Sequence, residues 1–94
     1  MKKIIARIMD QGNVTYVPSR KEEGGQLAKC SIRFREIGGD YEDEYVATAF
    51  GNLALCKFYL DDIVVAVLRF STRQVNTQVY QDIVVNEIVK LNKK

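Results

Sequence analysis

The chain has 94 residues, 47% of them hydrophobic and 28% charged, and a net charge of only +2. A length near 100 residues predicts one domain with one modest core, and the composition is globular rather than disordered. There is no His and no Trp, and the two cysteines, Cys30 and Cys56, lack a CxxC spacing; imidazole catalysis and His-ligated metals are thereby excluded, and neither a zinc site nor a dithiol redox site is expected.

Other chemistry is thin. Gly24-Gly25 and Gly38-Gly39 lack the spacing of a phosphate-binding loop and read as turns. The carboxylates between positions 40 and 44 fall in a Gly-flanked stretch and read as a solvated turn, not a metal or acid–base site. The expectation is a protein that is not an enzyme and uses no cofactor. No apolar run approaches the roughly 18 residues of a membrane span. The start Met1-Lys2-Lys3-Ile4-Ile5-Ala6-Arg7 meets charge too early for a secretory signal, and free thiols fit a reducing compartment. A cytoplasmic location is expected.

Strand signals dominate from the first residues. Residues 3–9 form a short run rich in Ile, ended by Asp10-Gln11-Gly12, and residues 13–17 are extended up to Pro18-Ser19. Residues 20–25 are charged, end in Gly and read as a loop. Residues 29–36 alternate with period two: Ile32 and Phe34 point one way, Ser31, Arg33 and Arg35 the other. Gly38-Gly39-Asp40 turns the chain, and residues 44–50 complete a β-hairpin. At Gly51-Asn52 the period changes: Asn52 reads as a helix N-cap, and residues 53–60 as about two helical turns ended by Asp61-Asp62. Residues 63–73 and 79–91 are two long strands joined by a polar turn at Asn76-Thr77, and residues 92–94 are a frayed basic end. This order predicts an all-β, five-stranded Greek-key barrel of the OB-fold type, with a short helix between strands three and four.

Several blocks carry more than periodicity. Thr48-Ala49-Phe50-Gly51-Asn52-Leu53-Ala54 ends a strand in an aromatic–Gly pair followed by a polar residue and Leu-Ala, and Phe58-Tyr59-Leu60 closes the helical stretch. Thr15-Tyr16-Val17-Pro18-Ser19 follows the first strand, and Ser71-Thr72-Arg73 is answered by a returning strand that carries Tyr80. In these blocks and their order the chain resembles the bacterial single-stranded DNA-binding proteins over almost its whole length. It stops at Lys94 without the flexible, acidic-tipped tail usual in that family, and so resembles the family's tail-less primosomal, phage and mobile-element binders. The resemblance implies an OB-fold, single-stranded DNA as partner in replication, recombination or transfer, and assembly into homodimers or homotetramers.

Single strands are held by cations that follow the phosphates and by aromatic rings that stack on bases. By alternation, Tyr45, Ala47 and Ala49 turn inward and Val46, Thr48 and Phe50 outward; Val64, Ala66, Leu68 and Phe70 turn inward and Arg69, Ser71 and Arg73 outward. The candidate nucleic-acid residues are Arg33, Arg35, Tyr41, Phe50, Arg69, Arg73 and Tyr80. Two readings stand for several of them. Phe50 joins the core if the register slips by one residue, and the arginines also read as plain solvated charges. Phe34, Phe58, Tyr59 and Phe70 read as packing residues. Val65 and Val67 point outward without a nucleic-acid role and suggest an oligomer interface. A competing expectation is an OB-type protein-interaction subunit of a primosome or replisome with weak nucleic-acid affinity. The near-neutral charge and the acidic hairpin tip favour it.

Overall fold

The structure, a computed structural model, describes residues 1–19 and 24–91. Residues 20–23 of the expected loop and the basic end at 92–94 lie outside the described residues. Six strands and one helical turn follow in order: β1 (Lys2–Gln11), β2 (Thr15–Pro18), β3 (Gln26–Glu36), β4 (Glu44–Phe50), α1 (Asn52–Leu55), β5 (Ile63–Val75) and β6 (Gln78–Lys90). They make one sheet in the order β1-β5-β6-β4-β3-β2, and β1 also pairs with β3, so the sheet closes in a ring. Every pairing is antiparallel except that of β4 with β6.

β1 closes the ring by serving two neighbours. Its residues from Lys2 to Arg7 face β5, while those from Ala6 to Gln11 face β3. Between them Ile8 faces Phe34 and Asp10 faces Arg33, leaving Met9 as the extra residue of a bulge. A bulge bends a strand and raises its twist, which is what passing from one partner to another requires. The main chain of Ile8 is bound instead by the segment before β5, donating to Asp62 O and accepting from Asp61 N–H, both at 2.8 Å.

Alternation fills the inside of the ring. Phe34, Ile4, Ile8, Ile32 and Leu68 supply the volume, and Ala6, Ala28, Ala47, Ala49 and Ala66 face them as small residues. Mixing large and small side chains is how a narrow closed sheet fills its interior without voids. Each fully buried large side chain contributes about 1.5–3 kcal/mol. Tyr45, half-buried at the edge of this core, accepts from Lys2 Nζ (2.9 Å) and donates to Glu36 Oε1 (3.1 Å). The bond to Tyr45 raises the Lys2 ammonium above its usual pKa.

Four local expectations are corrected. The helix is one turn, not two, and Asn52 is its first residue rather than its cap. Gly51 stands at the cap with φ 64° and ψ −132°, and its carbonyl accepts from Ala54 and Leu55 N–H. The turn ends at Cys56 because Gln11 captures the next backbone groups, donating to Cys56 O and accepting from Phe58 N–H, both at 2.8 Å. Phe58 packs against the core as expected, but Tyr59 is 55% exposed, with Lys57 and Lys90 ammoniums each 5.7 Å from its ring centre. Phe70 also leaves the core, since the inward side of β5 runs past its cover beyond Leu68; its ring meets Tyr45 edge-on at 6.1 Å.

From Arg69 to Gln81 the β5–β6 hairpin becomes a ribbon exposed on both sides, turned by Asn76-Thr77 with Asn76 left-handed at φ 57°. Asp62 is the one buried charged residue among those described; it accepts from Tyr59 N–H (2.9 Å) and pairs with Lys90 Nζ (3.0 Å). No helix among the described residues is long and apolar enough to cross a membrane.

Candidate functional site

Two separate surfaces lie on the outside of the ring. The first spans β3, β4, β6 and β5. Its continuity is fixed by one row of paired residues, Ser31 opposite Thr48, Thr48 opposite Val84, and Val84 opposite Arg69. Three strand spacings separate the ends of that row, about 14 Å. Moving along the strands in one direction, Arg33 faces Val46 and then Arg35 faces Glu44, while Ser71 faces Asp82 and then Arg73 faces Tyr80. In the other direction Phe50 faces Lys29. The face thus has Arg33 and Arg35 on one flank, Arg69 and Arg73 on the other, and a middle of Val46, Thr48 and Val84 with the carboxylates of Glu44 and Asp82 beside it.

Burial decides between the two readings of Phe50. Ala47 and Ala49 are 1% and 0% exposed, so the alternating Phe50 lies on the outer face, where it is half-buried. Tyr80 is exposed and carries the Arg73 guanidinium 4.9 Å above its ring centre. Since β4 and β6 run parallel, Phe50 and Tyr80 stand on opposite sides of the Thr48–Val84 pair, six residues apart along the strands. At about 3.3 Å per residue the two aromatic positions are about 20 Å apart. Tyr41 is 87% exposed on the turn between β3 and β4, apart from the rows.

The acids do not keep to loops of their own. Arg33 Nε lies 3.5 Å from Glu44 Oε1, Arg35 Nε 3.0 Å from Glu42 Oε1, and Arg73 Nε 2.9 Å from Asp82 Oδ2. The Arg35 contact is ionic only, because its Nε–H does not point along a hydrogen bond to any partner. Arg73 Nε reaches both oxygens of Asp82. Arg69 and Lys29 make no ion pair among the described residues. The solvated turn expected at positions 40–44 is therefore half-engaged: Asp40 is free of ion pairs among the described residues, whereas Glu42 and Glu44 hold arginines of the face.

Sequence reasoning missed these partners, and Lys29 with them, although the signal was present. A hairpin symmetric about Gly39-Asp40 sets Arg35 opposite Glu44, and one symmetric about Asn76-Thr77 sets Arg73 opposite Tyr80 and two residues from Asp82.

The second surface spans β1, β5 and β6, where Ile5 faces Val65 and Val65 faces Val89. Ile5 and Val89 are about half exposed, and Ile63 and Leu91 extend the strip. Val65 and Val67 point outward as expected, between the buried Val64, Ala66 and Leu68. Lys3 and Glu87 flank Val67 at the rim. The two outer surfaces part on β6 at Asn86, an unpaired residue between Val85 and Glu87 that resets the alternation. An open groove of about 480 Å³ lies elsewhere, between positions 8–14 and 54–60. It touches none of the arginines of the first surface.

No protein-family model matches the chain, and no match is found among the curated proteins.

Proposed function

We propose that the chain is a single-stranded DNA-binding protein, without enzymatic activity, acting in replication, recombination or transfer. The observation that carries this reading is the outer face of β3, β4, β6 and β5, with cations on both flanks and Phe50 and Tyr80 set along its length. A strand lying along β4 and β6 would meet guanidinium groups on either side and stack bases near each end. A span of about 20 Å suits a few nucleotides, at the low end of the roughly 4–16 covered by one such domain. The ring order β1-β3-β4-β6-β5, closing back on β1, supports reading the sheet as a five-stranded Greek-key barrel of the OB type, with β2 as an added edge. The resemblance of residues 48–54 and 71–73 to bacterial single-strand binders supports the same reading.

The second surface fits a copy of the same chain. Ile5, Val65 and Val89 form an apolar strip with charges at its rim, which supports reading it as the interface of a homodimer or homotetramer. Joining barrels would lengthen the bound strand by avidity.

One observation favours a second reading, a protein-interaction subunit of a primosome or replisome with weak nucleic-acid affinity: three of the four arginines already hold carboxylates. Fluorescence anisotropy of labelled oligo-dT over a salt series separates the two. Saturable binding whose log affinity falls linearly with log salt supports the first reading. Absence of binding even at low salt rejects it and leaves the interaction subunit.

A further inference from the structure

We infer that Glu42, Glu44 and Asp82 are built-in competitors for phosphate that set both the affinity and the salt dependence of the nucleic-acid face. The inference rests on the single-strand reading above. The three carboxylates sit on the same face as the arginines they hold, at 3.0, 3.5 and 2.9 Å from Arg35, Arg33 and Arg73. They come from two different hairpins, yet each approaches its guanidinium at Nε. Arg69, on the same flank as Arg73, has no such partner among the described residues. All six paired side chains keep a third or more of their surface in water, and a ligand can reach them, except that Arg35 Nε itself is buried.

A phosphate arriving at one of these arginines has two courses. It can share the guanidinium, which has five donors in a planar fork, but then stands beside a carboxylate of like charge. Otherwise it displaces the carboxylate, which returns to water and gathers cations from solution. Either course reduces the net gain per contact. Displacement also reduces the net number of ions released, because cations taken up at the freed carboxylate offset those leaving the phosphates. Arg33, Arg35 and Arg73 therefore add less to the salt slope than an unpaired cation, for which it is about 0.7 per phosphate on a single strand. Stacking and Arg69 carry a correspondingly larger share of the affinity, so binding depends more on exposed bases than the count of arginines suggests.

The test compares the wild type with Glu42→Gln/Glu44→Gln and with Asp82→Asn, titrating labelled oligo-dT over a salt series. A charge-matched control, Asp40→Asn/Asp43→Asn, neutralises two acids of the same turn that make no ion pair among the described residues. Each released arginine should tighten low-salt binding by about 1.5- to fivefold, the scale of an exposed ion pair. The salt slope should steepen by up to about 0.7 per arginine. The control should change both quantities less. Equal gains in the control would overturn the inference, since the general field would then account for them. Unchanged or weaker binding by the Gln and Asn variants, with a wild type that binds, would also overturn it; weaker binding would mean that the carboxylates orient the guanidinium groups. If neither wild type nor variants bind oligo-dT, the single-strand reading fails, and the competitor role with it.

Discussion

Phe34 and Phe50 lie on opposite sides of one hairpin, and truncating each in turn separates folding from binding. Phe34 is fully buried, opposite Tyr45. Phe34→Ala removes a ring from a closed interior and should cost about 3–5 kcal/mol. For a domain of this size that lowers Tm by at least about 12 °C. Phe50 is only half-buried on the outer face, so its truncation forfeits about half of a full aromatic burial, about 1 kcal/mol. Its Tm should fall by about 4–8 °C. If the ring stacks on a base, Phe50→Ala loses about 1–3 kcal/mol of affinity, a Kd roughly 5- to 150-fold weaker. Thermal melts followed by circular dichroism, then oligo-dT titration well below both melting points, give the two numbers from one preparation. Phe50→Trp keeps a stacking face and should hold Kd near the wild-type value. A Phe50→Ala protein that melts as low as Phe34→Ala would refute the placement of the ring outside the core. One that melts as described and binds oligo-dT with unchanged Kd would refute stacking.

Arg69→Ala should flatten the plot of log affinity against log salt by about 0.7, and Arg73→Ala by less, because Asp82 already balances Arg73; equal effects in the anisotropy series would contradict the distinction. Val65→Lys places a charge in the centre of the Ile5–Val65–Val89 row and should dissociate the proposed oligomer while each chain keeps its circular dichroism spectrum. Sedimentation of the wild type at micromolar concentration as a 10.7 kDa species alone would remove the interface. Gly51→Ala should destabilise the fold by about 1–3 kcal/mol through backbone strain, since φ 64° with ψ −132° suits glycine. Space is not the obstacle, because a Cβ there would meet nothing closer than Leu27 Cδ1 at 3.7 Å; an unchanged melt would show that the backbone relaxes.

β3, β4 and the first half of β5 were legible because they wear their burial as alternation. Ile32 and Phe34 against Arg33 and Arg35, and Val64, Ala66 and Leu68 against Val65 and Val67, fall on the sides that period two assigns them. Turn chemistry marked the two hairpins, at Gly38-Gly39-Asp40 and Asn76-Thr77. What periodicity could not show is where cover ends. Phe70 continues the inward parity of Leu68, yet it is 40% exposed and meets the ring of Tyr45 only edge-on, so parity alone counted one core residue too many. The helix was overread for a related reason. Residues 53–60 have helical spacing, but Gln11, more than forty residues away, offers the backbone at Cys56 and Phe58 a better partner than the next turn would.

Charge was less legible than fold, and the reason bears on how such a face works. In the sequence the acids at positions 36–44 stand in one block, and the arginines at 33, 35, 69 and 73 in others, which suggests basic strands tipped by acidic turns. An antiparallel hairpin undoes that separation. Residues equally distant from a turn become neighbours, so the acids just after Gly38-Gly39 are brought back beside the arginines just before it. The β5–β6 ribbon does the same with Asp82 and Arg73. Net charge is blind to this, because +2 describes a sum and not which cations remain open. What a phosphate meets is decided pair by pair: Lys29 and Arg69 without a counter-ion among the described residues, and Arg33, Arg35 and Arg73 each with one. A weakly charged chain can on this account hold an anionic strand. On the single-strand reading proposed above, affinity depends on these two open cations and on stacking at Phe50 and Tyr80 more than on the total of basic residues.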